Sequence, residues 1–313
     1  MGQVIASIDL GTNTALLLIA QRDGKNLKIL HDEARITRLG EKLHDKKKFI
    51  PAAQKRVLQA LKDYQKECNS LGVKKILAVG TAAFRKAKNA SNFVARVKKE
   101  TGIEIKIISG DEEARLSYLS AKNDFGSQYD NLYVLDIGGG STELISKEGG
   151  VSFDLGAILL TESIVKHDPV TKGEFRGMEE KIDNVLSSPL RGEDKGGGDH
   201  GHPPLNPLPS REGKKVLIGL AGSVTTLSAI KQKLKVWDGT KVQGSKLSLG
   251  DLEPMIQDFQ RMTLVEKSKI PGMVKGREDS ILAGTLILKA VMKKLGVREV
   301  IVSDRGLRYG VIY

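Results

Sequence analysis

The stretch VLDIGGGSTEL, residues 134–144, decides how the rest of this sequence is interpreted. A hydrophobic run ends at Asp136, three glycines follow at 138–140, and Ser141 and Glu143 come next. A strand that ends in such a turn fits a flexible joint, a dinucleotide-binding loop, or a turn that holds a phosphate beside its own acidic groups. The choice among these three determines most of the functional interpretation.

Two common nucleotide-binding loops fit the stretch poorly. A dinucleotide loop has the pattern G-x-G-x-x-G and opens a helix, whereas here the strand-like run TELIS follows and the third glycine of the pattern is missing. The Gly-Lys-Ser/Thr of a Walker loop is also missing. A tight hairpin whose glycines serve geometry alone remains as an alternative. Glu143 favours a functional turn, because carboxylates are depleted in β-prone runs.

The same arrangement occurs at the start of the chain. The run QVIASID ends at Asp9 and continues as DLGTNT, just as NLYVLD ends at Asp136 and continues as DIGGGST. A second strand is predicted after each turn, so an internal duplication is favoured over chance similarity. Strands alternate with helices in both halves, which predicts α/β domains over residues 1–124 and 125–313. Periodicity and end signals predict helices over 51–71, 82–100, 110–122, 157–167, 173–188, 224–235, 250–262 and 277–295.

Composition limits the partners of the chain. Its 313 residues suffice for two domains of about 150 residues each. The formal net charge of +12 favours an anionic partner, although scattered lysines usually form only a solvated surface. Aromatic residues make up 4% of the chain, so stacking platforms are scarce and no specific nucleic-acid partner is expected.

Membrane and redox signals are weak. No run approaches the roughly 18–20 apolar residues that span a bilayer, and the N-terminus does not resemble a secretory signal. The single cysteine, Cys68, excludes an intrachain disulfide, and its helical spacing predicts a buried thiol. We therefore expect a cytoplasmic protein without a membrane partner, and a homodimer is left open.

Residues 189–213 interrupt the regular pattern. They contain five of the nine prolines and no aromatic or β-branched residue, which predicts a disordered insertion. Asp199, His200 and His202 are predicted to be solvated side chains of this loop rather than metal ligands, because nothing holds them in place.

The two acidic turns predict a phosphate site with a metal ion. Asp9 and Asp136 each follow a buried strand, at the edge where open α/β sheets bind ligands. Glycines allow a phosphate to approach the backbone closely, and hydroxyl and amide side chains add donors. Carboxylates would repel phosphate without a cation, so Asp9, Asp136 and Glu143 imply Mg²⁺ or another divalent cation. The predicted phosphate-binding residues of the turns are Gly11, Thr12, Asn13, Gly138, Gly139, Gly140 and Ser141.

The stretch IISGDEEARLSYL, residues 107–119, supplies a candidate base. Ser109 and Glu112 form a predicted capping box at the start of a helix, which explains Glu112 structurally. Glu113 has no such explanation. It is either an ordinary solvated carboxylate or, beside a bound phosphate, a group that deprotonates water.

Two further strand ends carry candidate phosphate ligands. In AVGTAAFRKAKN, Thr81 follows the strand, and Arg85 is either a bidentate phosphate ligand or an exposed helical arginine. In LIGLAGSVTTLSAI, Gly222 and Ser223 either hold a second phosphate or a nucleotide, or form only a tight strand-to-helix junction.

Taken in order, six stretches of the chain resemble the exopolyphosphatase/guanosine pentaphosphate phosphohydrolase (Ppx/GppA) family: SIDLGTNT, AVGTAAFRKAKN, IISGDEEARLSYL, VLDIGGGSTEL, LIGLAGSVTTLSAI and IVSDRGLRYGVI. The resemblance implies two duplicated ribonuclease H-like domains of the actin/Hsp70/sugar-kinase class, with a cleft between them. It implies Glu113 as the catalytic base, Asp9, Asp136 and Glu143 as acidic residues of the phosphate loops, and Arg85 near the phosphate.

The chain departs from the family pattern at three places. Tyr309 stands where Glu is usual, AGSVTT replaces the usual G-G-T, and Ala15 lies near a position where some relatives carry Arg. The last departure bears on nucleotide selectivity. The 189–213 insertion also looks foreign to the family.

The predicted function is Mg²⁺-dependent hydrolysis of a phosphoanhydride. The resemblance implies release of the terminal phosphate of inorganic polyphosphate, of the 5′-phosphate of pppGpp, or of both, with polyphosphate or guanosine polyphosphate as the partner. An ATP-dependent kinase of the same fold and a non-catalytic nucleotide or polyphosphate sensor are the alternatives.

Overall fold

The computed structural model describes residues 2–24, 26–187 and 215–313. The predicted insertion at 189–213, with Asp199, His200 and His202, lies outside the described residues. Among those that are described, no helix combines the length and the apolar character that crossing a bilayer requires.

The first half folds around a five-stranded sheet in the order β3-β2-β1-β4-β5. β1 pairs antiparallel with β2 and parallel with β4, so its residues are buried almost throughout. The strands are β1 (Gln3–Leu10), β2 (Thr14–Asp23), β3 (Asn26–Ile36), β4 (Lys75–Gly80) and β5 (Ile105–Ile107). Its helices are α1 (Leu43–Lys46), α2 (Pro51–Ser70), α3 (Ala82–Lys86), α4 (Ala90–Thr101) and α5 (Gly110–Phe125).

The single helix predicted over 82–100 is wrong, because α3 and α4 are separate. The break lies where the side chain of Asn89 bonds the main chain of Phe49, accepting from its N–H at 2.8 Å and donating to its carbonyl at 3.0 Å. This contact between distant segments lies between the end of α3 and the start of α4, where periodicity predicted a continuous helix. In α2 the thiol of Cys68 is buried as predicted, and desolvation raises its pKa to about 11.

The second half folds around a six-stranded sheet in the order β10-β11-β9-β6-β7-β8. The strands are β6 (Leu132–Ile137), β7 (Thr142–Ser146), β8 (Gly149–Phe153), β9 (Val216–Leu220), β10 (Lys246–Ser248) and β11 (Glu299–Val302). The helices are α6 (Ala157–Ile164), α7 (Lys172–Ser187), α8 (Ala221–Lys231), α9 (Gly239–Val242), α10 (Leu249–Arg261), α11 (Leu264–Lys267), α12 (Ile281–Leu295) and α13 (Gly306–Gly310). α8 begins three residues before its predicted start at residue 224, and α12 begins four residues after its predicted start at residue 277.

The two halves repeat one topology. β6 pairs antiparallel with β7 and parallel with β9, as β1 does with β2 and β4. The turns close in the same way: Gly11 N–H donates to Thr14 O at 2.9 Å, and Gly138 N–H donates to Ser141 O at 3.0 Å. The predicted α/β fold with duplicated strand–turn–strand units is confirmed.

Two helices connect the sheets. On α5, Leu116 packs with Val79 beside the first sheet, while Phe125 packs with Val134 of the second. The chain returns at α13, where Tyr309 packs with buried residues of β2. α13 thus packs against the first sheet although it follows the second in sequence, and the boundary at 124/125 stays a prediction.

Candidate active site

The two acidic turns face each other at the edges of the two sheets. The side chain of Thr12 lies so close to the second turn that a Cβ added at Gly139 would be 3.2 Å from the Thr12 Cβ. A Cβ added at Gly140 would be 3.2 Å from the Thr12 Oγ1. On the other side, the carbonyl of Gly139 occupies the space that a side chain at Gly156 would need. The glycines are therefore required by close approach.

Polar groups in these turns lack protein partners. Within the described ranges, the main-chain N–H groups of Thr12, Asn13, Gly139 and Gly140 donate to no carbonyl oxygen. The carboxamide of Asn13 is buried, and neither its oxygen nor its nitrogen has a hydrogen-bond partner there. Buried donors in native proteins are normally satisfied, so the Asn13 amide, together with the partly exposed N–H groups beside it, fits a bound anion such as a phosphoryl group.

Four carboxylates, those of Asp9, Glu113, Asp136 and Glu143, lie near enough to one another for their charges to interact. Desolvation, followed by the negative charge of Glu113, raises the pKa of Asp9 to about 7, of Asp136 to about 7 and of Glu143 to about 8. Asp9 Oδ1 has no hydrogen-bond partner among the described residues, whereas Glu143 Oε1 accepts from Ser152 Oγ at 2.9 Å. Glu143 is buried and the other three are partly buried, so charging all four groups together favours a bound cation or bound protons.

The donor set fits Mg²⁺, which prefers oxygen ligands and keeps several of its waters. In the described part of the chain, no three acidic, histidine or cysteine side chains converge closely enough to form a complete protein-only metal site. An ion there would be held by one or two of the predicted ligands, Asp9, Asp136 and Glu143, and would take its other ligands from water and phosphate oxygens.

Glu113 lies at the N-terminus of α5, against Arg85. Arg85 Nη1 donates to Glu113 Oε2 at 2.7 Å and to the carbonyl of Ile108 at 3.0 Å. Burial raises the pKa of Glu113, and Arg85 opposes that rise. The side chain of Glu113 is 13% exposed, so a water molecule can still reach it. Arg85 is thus paired with Glu113 rather than free on the surface, and its role as a phosphate ligand stays a prediction.

The predicted capping box at the start of α5 forms only in part. Ser109 Oγ accepts from the N–H of Glu112 at 3.1 Å, but the carboxylate of Glu112 accepts from Lys106 Nζ at 2.6 Å. Lys106 of β5 therefore takes the place of the Ser109 N–H as the hydrogen-bond donor to the Glu112 carboxylate. Glu112 is therefore directed away from the cleft, while Glu113 faces it.

Sequence reasoning missed Arg277. Its Nη2 donates to Thr14 Oγ1 of the first turn at 3.2 Å, and its guanidinium fills the space above Gly222, where any Cβ would overlap it. Desolvation lowers the pKa of Arg277 to about 10. Arg277 precedes α12, far from either turn in sequence, and no strand end marks it, so no local signal was available.

The remaining predicted ligands have mixed surroundings. Gly222 and Ser223 lie in the first turn of α8 rather than before it, and Ala221 adopts a φ of 66°, the left-handed region that glycine favours. Thr81 is buried, and its Oγ1 donates to the carbonyl of Leu10 at 3.4 Å. The roles of Thr81, Gly222 and Ser223 in phosphate binding stay predictions.

Two of the departures from the family pattern have structural roles. Tyr309 is buried, and its hydroxyl donates to Asp32 Oδ2 at 2.9 Å, which ties α13 to β3. Ala15 is fully buried in β2, and its carbonyl accepts from the hydroxyl of Tyr64 at 2.8 Å. Its neighbour Leu16 pairs across the sheet with Asp9, so the position beside that carboxylate is apolar.

Comparison with known proteins identifies the family. The sequence matches the Ppx/GppA phosphatase family over residues 18–313. The chain belongs to this family. It is 30% identical to exopolyphosphatase 2 of Mycobacterium tuberculosis, over 98% of this chain and 97% of that protein. It is also 30% identical to the bifunctional 3-dehydroquinate synthase/phosphatase of Fusobacterium nucleatum, over 98% of this chain but only 46% of that protein, so the chain spans about half its length.

Solved structures agree with the family. The crystal structure of the Aquifex aeolicus Ppx/GppA family member superimposes with a TM-score of 0.76 at 31% identity, covering 99% of this chain and 96% of that one. The expected actin-like architecture with two related α/β units is confirmed. At the level of the family, so is the prediction of an enzyme that hydrolyses phosphoric anhydrides.

Proposed function

We propose that the chain is a Mg²⁺-dependent exopolyphosphatase that releases the terminal phosphate of inorganic polyphosphate, with Glu113 as the general base. The observation that carries the proposal is the position of Glu113, which pairs with Arg85 at 2.7 Å and lies close enough to Asp9, Asp136 and Glu143 for its charge to raise their pKa values. The name of the M. tuberculosis relative supports the same substrate.

In this proposal the terminal phosphoryl group lies between the two turns. The free N–H groups of Thr12, Asn13, Gly139 and Gly140 donate to its oxygens, and the guanidinium groups of Arg85 and Arg277 offset its charge. Positioning and charge stabilisation account for most of the catalysis of phosphoryl transfer, because little covalent chemistry is left to the protein.

Glu113 then takes a proton from the attacking water. Its carboxylate is buried enough to be a stronger base than a solvated glutamate, and Arg85 holds it in one orientation. Mg²⁺ held by Asp9, Asp136 or Glu143 would supply charge neutralisation for the phosphate oxygens. Without a cation these carboxylates would repel the substrate.

The 5′-phosphate of pppGpp is a second candidate substrate, because the same turns and arginines recognise a terminal phosphate in either compound. Ala15, near the position where some relatives carry Arg, is fully buried in β2 and offers no charged contact to a nucleotide. The name of the M. tuberculosis relative favours the inorganic chain.

The test is release of phosphate from polyphosphate, pppGpp and ATP by the wild type and by Glu113→Gln. We expect release from polyphosphate that needs Mg²⁺ and falls by about 10²–10⁴-fold in the variant, the usual contribution of a general base. Glu112→Gln is the matched control, because its carboxylate bonds Lys106 instead.

Full activity of Glu113→Gln would refute the role of Glu113 as the base. Labelled phosphate that appears on a sugar instead of in solution would support the kinase alternative. Tight binding of polyphosphate without any release under Mg²⁺ would support the sensor.

A further inference from the structure

Ser117 of α5 is a buried polar residue to which the proposed chemistry gives no role. Its side chain belongs to a residue that is only 1% exposed. Within residues 2–24, 26–187 and 215–313, its Oγ has no hydrogen-bond partner. A buried hydroxyl without a partner is costly, because it has lost its bonds to water and gained none in exchange. Such a group is expected where it serves a bound ligand or a group that holds one.

The hydroxyl of Ser117 does not bond the backbone of its own helix. A serine or threonine inside a helix commonly donates to the carbonyl four residues earlier. Thr161 of α6 does so, with its Oγ1 at 2.8 Å from the carbonyl of Ala157. Among the described residues, Ser117 makes no such bond to the carbonyl of Glu113. Its hydroxyl therefore stays available for a group outside α5.

The face of the second sheet that α5 covers carries two acidic residues of the site. Ala121 of α5 packs in one apolar cluster with Val134 of β6 and Ile145 of β7. Because side chains alternate along a strand, Asp136 lies on the same face as Val134. For the same reason, Glu143 lies on the same face as Ile145. Asp136 and Glu143 also pair across the two strands, so both carboxylates are on the side of α5.

Ser117 lies in the row of α5 that faces these carboxylates. Residues four apart on a helix are neighbours, which places Ser117 between Glu113 and Ala121. Desolvation, followed by the charge of Glu113, raises the pKa of Asp136. The hydroxyl of Ser117 acts in the opposite direction and lowers that pKa, so it lies close to the carboxylate of Asp136. The two groups are thus neighbours that do not form a hydrogen bond of normal length.

Ser120 of the same helix offers a contrast. It is fully buried, and its Oγ also has no partner in the part of the chain that the structure describes. Its row on α5 contains Leu116 and Asp124, which are four residues to either side. Leu116 packs with Leu307 of α13. Asp124 accepts a hydrogen bond from Arg305, just before α13. Ser120 therefore faces α13 rather than the carboxylates of the site.

We propose that Ser117 is a positioning residue of the metal site, whose hydroxyl donates to the carboxylate of Asp136 and fixes the orientation in which Asp136 binds a divalent cation. This inference rests on the proposed function, which assigns Asp136 to the cation. A hydroxyl hydrogen rotates to meet its acceptor, so a small movement of either side chain forms the bond. Carboxylates that bind metals are held by hydrogen bonds of this kind, and the loss of one lowers metal affinity about 10- to 100-fold.

The experiment measures the binding of Mn²⁺ alone to the full chain, without substrate, from the EPR signal of the free ion. Ser117→Ala removes the hydroxyl beside Asp136, and Ser120→Ala is the matched control, because it removes an equally buried hydroxyl from the same helix. We expect the Kd for Mn²⁺ to rise about 10- to 100-fold in Ser117→Ala and to stay unchanged in Ser120→Ala. The Tm in EDTA should not fall in either variant, because each loses a buried hydroxyl without a partner. In the assay of phosphate release, the Mg²⁺ concentration for half-maximal rate should rise by the same factor in Ser117→Ala, with kcat retained at saturating Mg²⁺.

Three results would overturn the proposal. One is an unchanged affinity for Mn²⁺ in Ser117→Ala, and another is an equal loss of affinity in Ser120→Ala. The third is a lower Tm of Ser117→Ala in EDTA, because the hydroxyl would then serve the fold rather than the ion. Failure of the proposed function gives a different result. A wild type that binds Mn²⁺ but releases no phosphate from polyphosphate refutes the proposed function, while the Mn²⁺ titration still decides the role of Ser117. A wild type that binds no Mn²⁺ refutes both.

Discussion

Removing the guanidinium of Arg85 tests the pairing that sets the protonation of the proposed base. Glu113 works only as a carboxylate, so activity is lost as the pH falls through its pKa. Arg85 stabilises that carboxylate by its charge and by the 2.7 Å hydrogen bond. In Arg85→Met the pKa of Glu113 therefore rises, and the acidic limb of the pH profile moves to higher pH.

The size of the shift follows from the geometry. A hydrogen bond to a charged group contributes about 1.5–3 kcal/mol, and the two side chains are only 27% and 13% exposed, so solvent screening is modest. One pH unit corresponds to about 1.4 kcal/mol, which predicts a shift of about one to two units. The overall rate is also expected to fall, because Arg85 is a proposed phosphate ligand, but that loss does not depend on pH.

The assay is log kcat/KM for polyphosphate against pH at saturating Mg²⁺. Arg38→Met is the matched control, because Arg38 pairs with Asp279 at 3.0 Å on the rim of the cleft and not with Glu113. Its acidic limb should stay in place. An unmoved limb in Arg85→Met would show that Glu113 is not the group whose titration limits the reaction.

Three further predictions concern the metal site, a strained residue and Arg277. The pKa of Asp9 is raised to about 7, so between about pH 4 and pH 8 the metal-free fold binds more protons than the unfolded chain and its stability falls as the pH rises. Asp9→Asn removes this charge and should raise Tm at pH 8 in EDTA. An unchanged or lower Tm would contradict the cost assigned to the charge of Asp9. Ala221→Gly should raise the free energy of unfolding in urea by up to about 1 kcal/mol, since a left-handed φ of 66° strains alanine, and a loss of stability would refute that reasoning. Gly222→Ala should displace the guanidinium of Arg277 and lower kcat/KM about tenfold or more, with Tm retained. Gly173→Ala is the control, because a Cβ at that position has no heavy atom within 4 Å, and it should leave kcat/KM unchanged.

Much of the fold is determined by local patterns in the sequence. Hydrophobic runs that end at Asp9 and Asp136, each followed by a Gly-bearing turn and a second strand, are short-range signals, and they predicted the repeated topology. The positions of the acidic residues and glycines of the two turns were predictable for the same reason, whereas their roles in binding a metal and a phosphate stay predictions. Their chemistry follows from residue type and from the edge of the sheet where they lie.

Contacts between distant segments decided the rest, because the sequence pattern does not encode which segments meet. The pairing of Asn89 with Phe49 divides a helix that periodicity predicted to be continuous. The return of α13 to the first sheet depends on the packing of Tyr309 against β2. No local sequence pattern predicts this contact, because the two elements are far apart in the chain.

The site shows the same division. The residue types of Asp9, Asp136 and Glu143 indicated a metal beside a phosphate and Glu113 was a candidate base, while the resemblance to the family supplied the prediction of hydrolysis. Sequence alone could not show that Arg85 bonds Glu113 or that Arg277 reaches Thr14 over Gly222, because these side chains lie 28 and 263 residues from their partners. Only the folded chain brings such groups within hydrogen-bond distance, so the tertiary structure decided how the charges of the site are balanced.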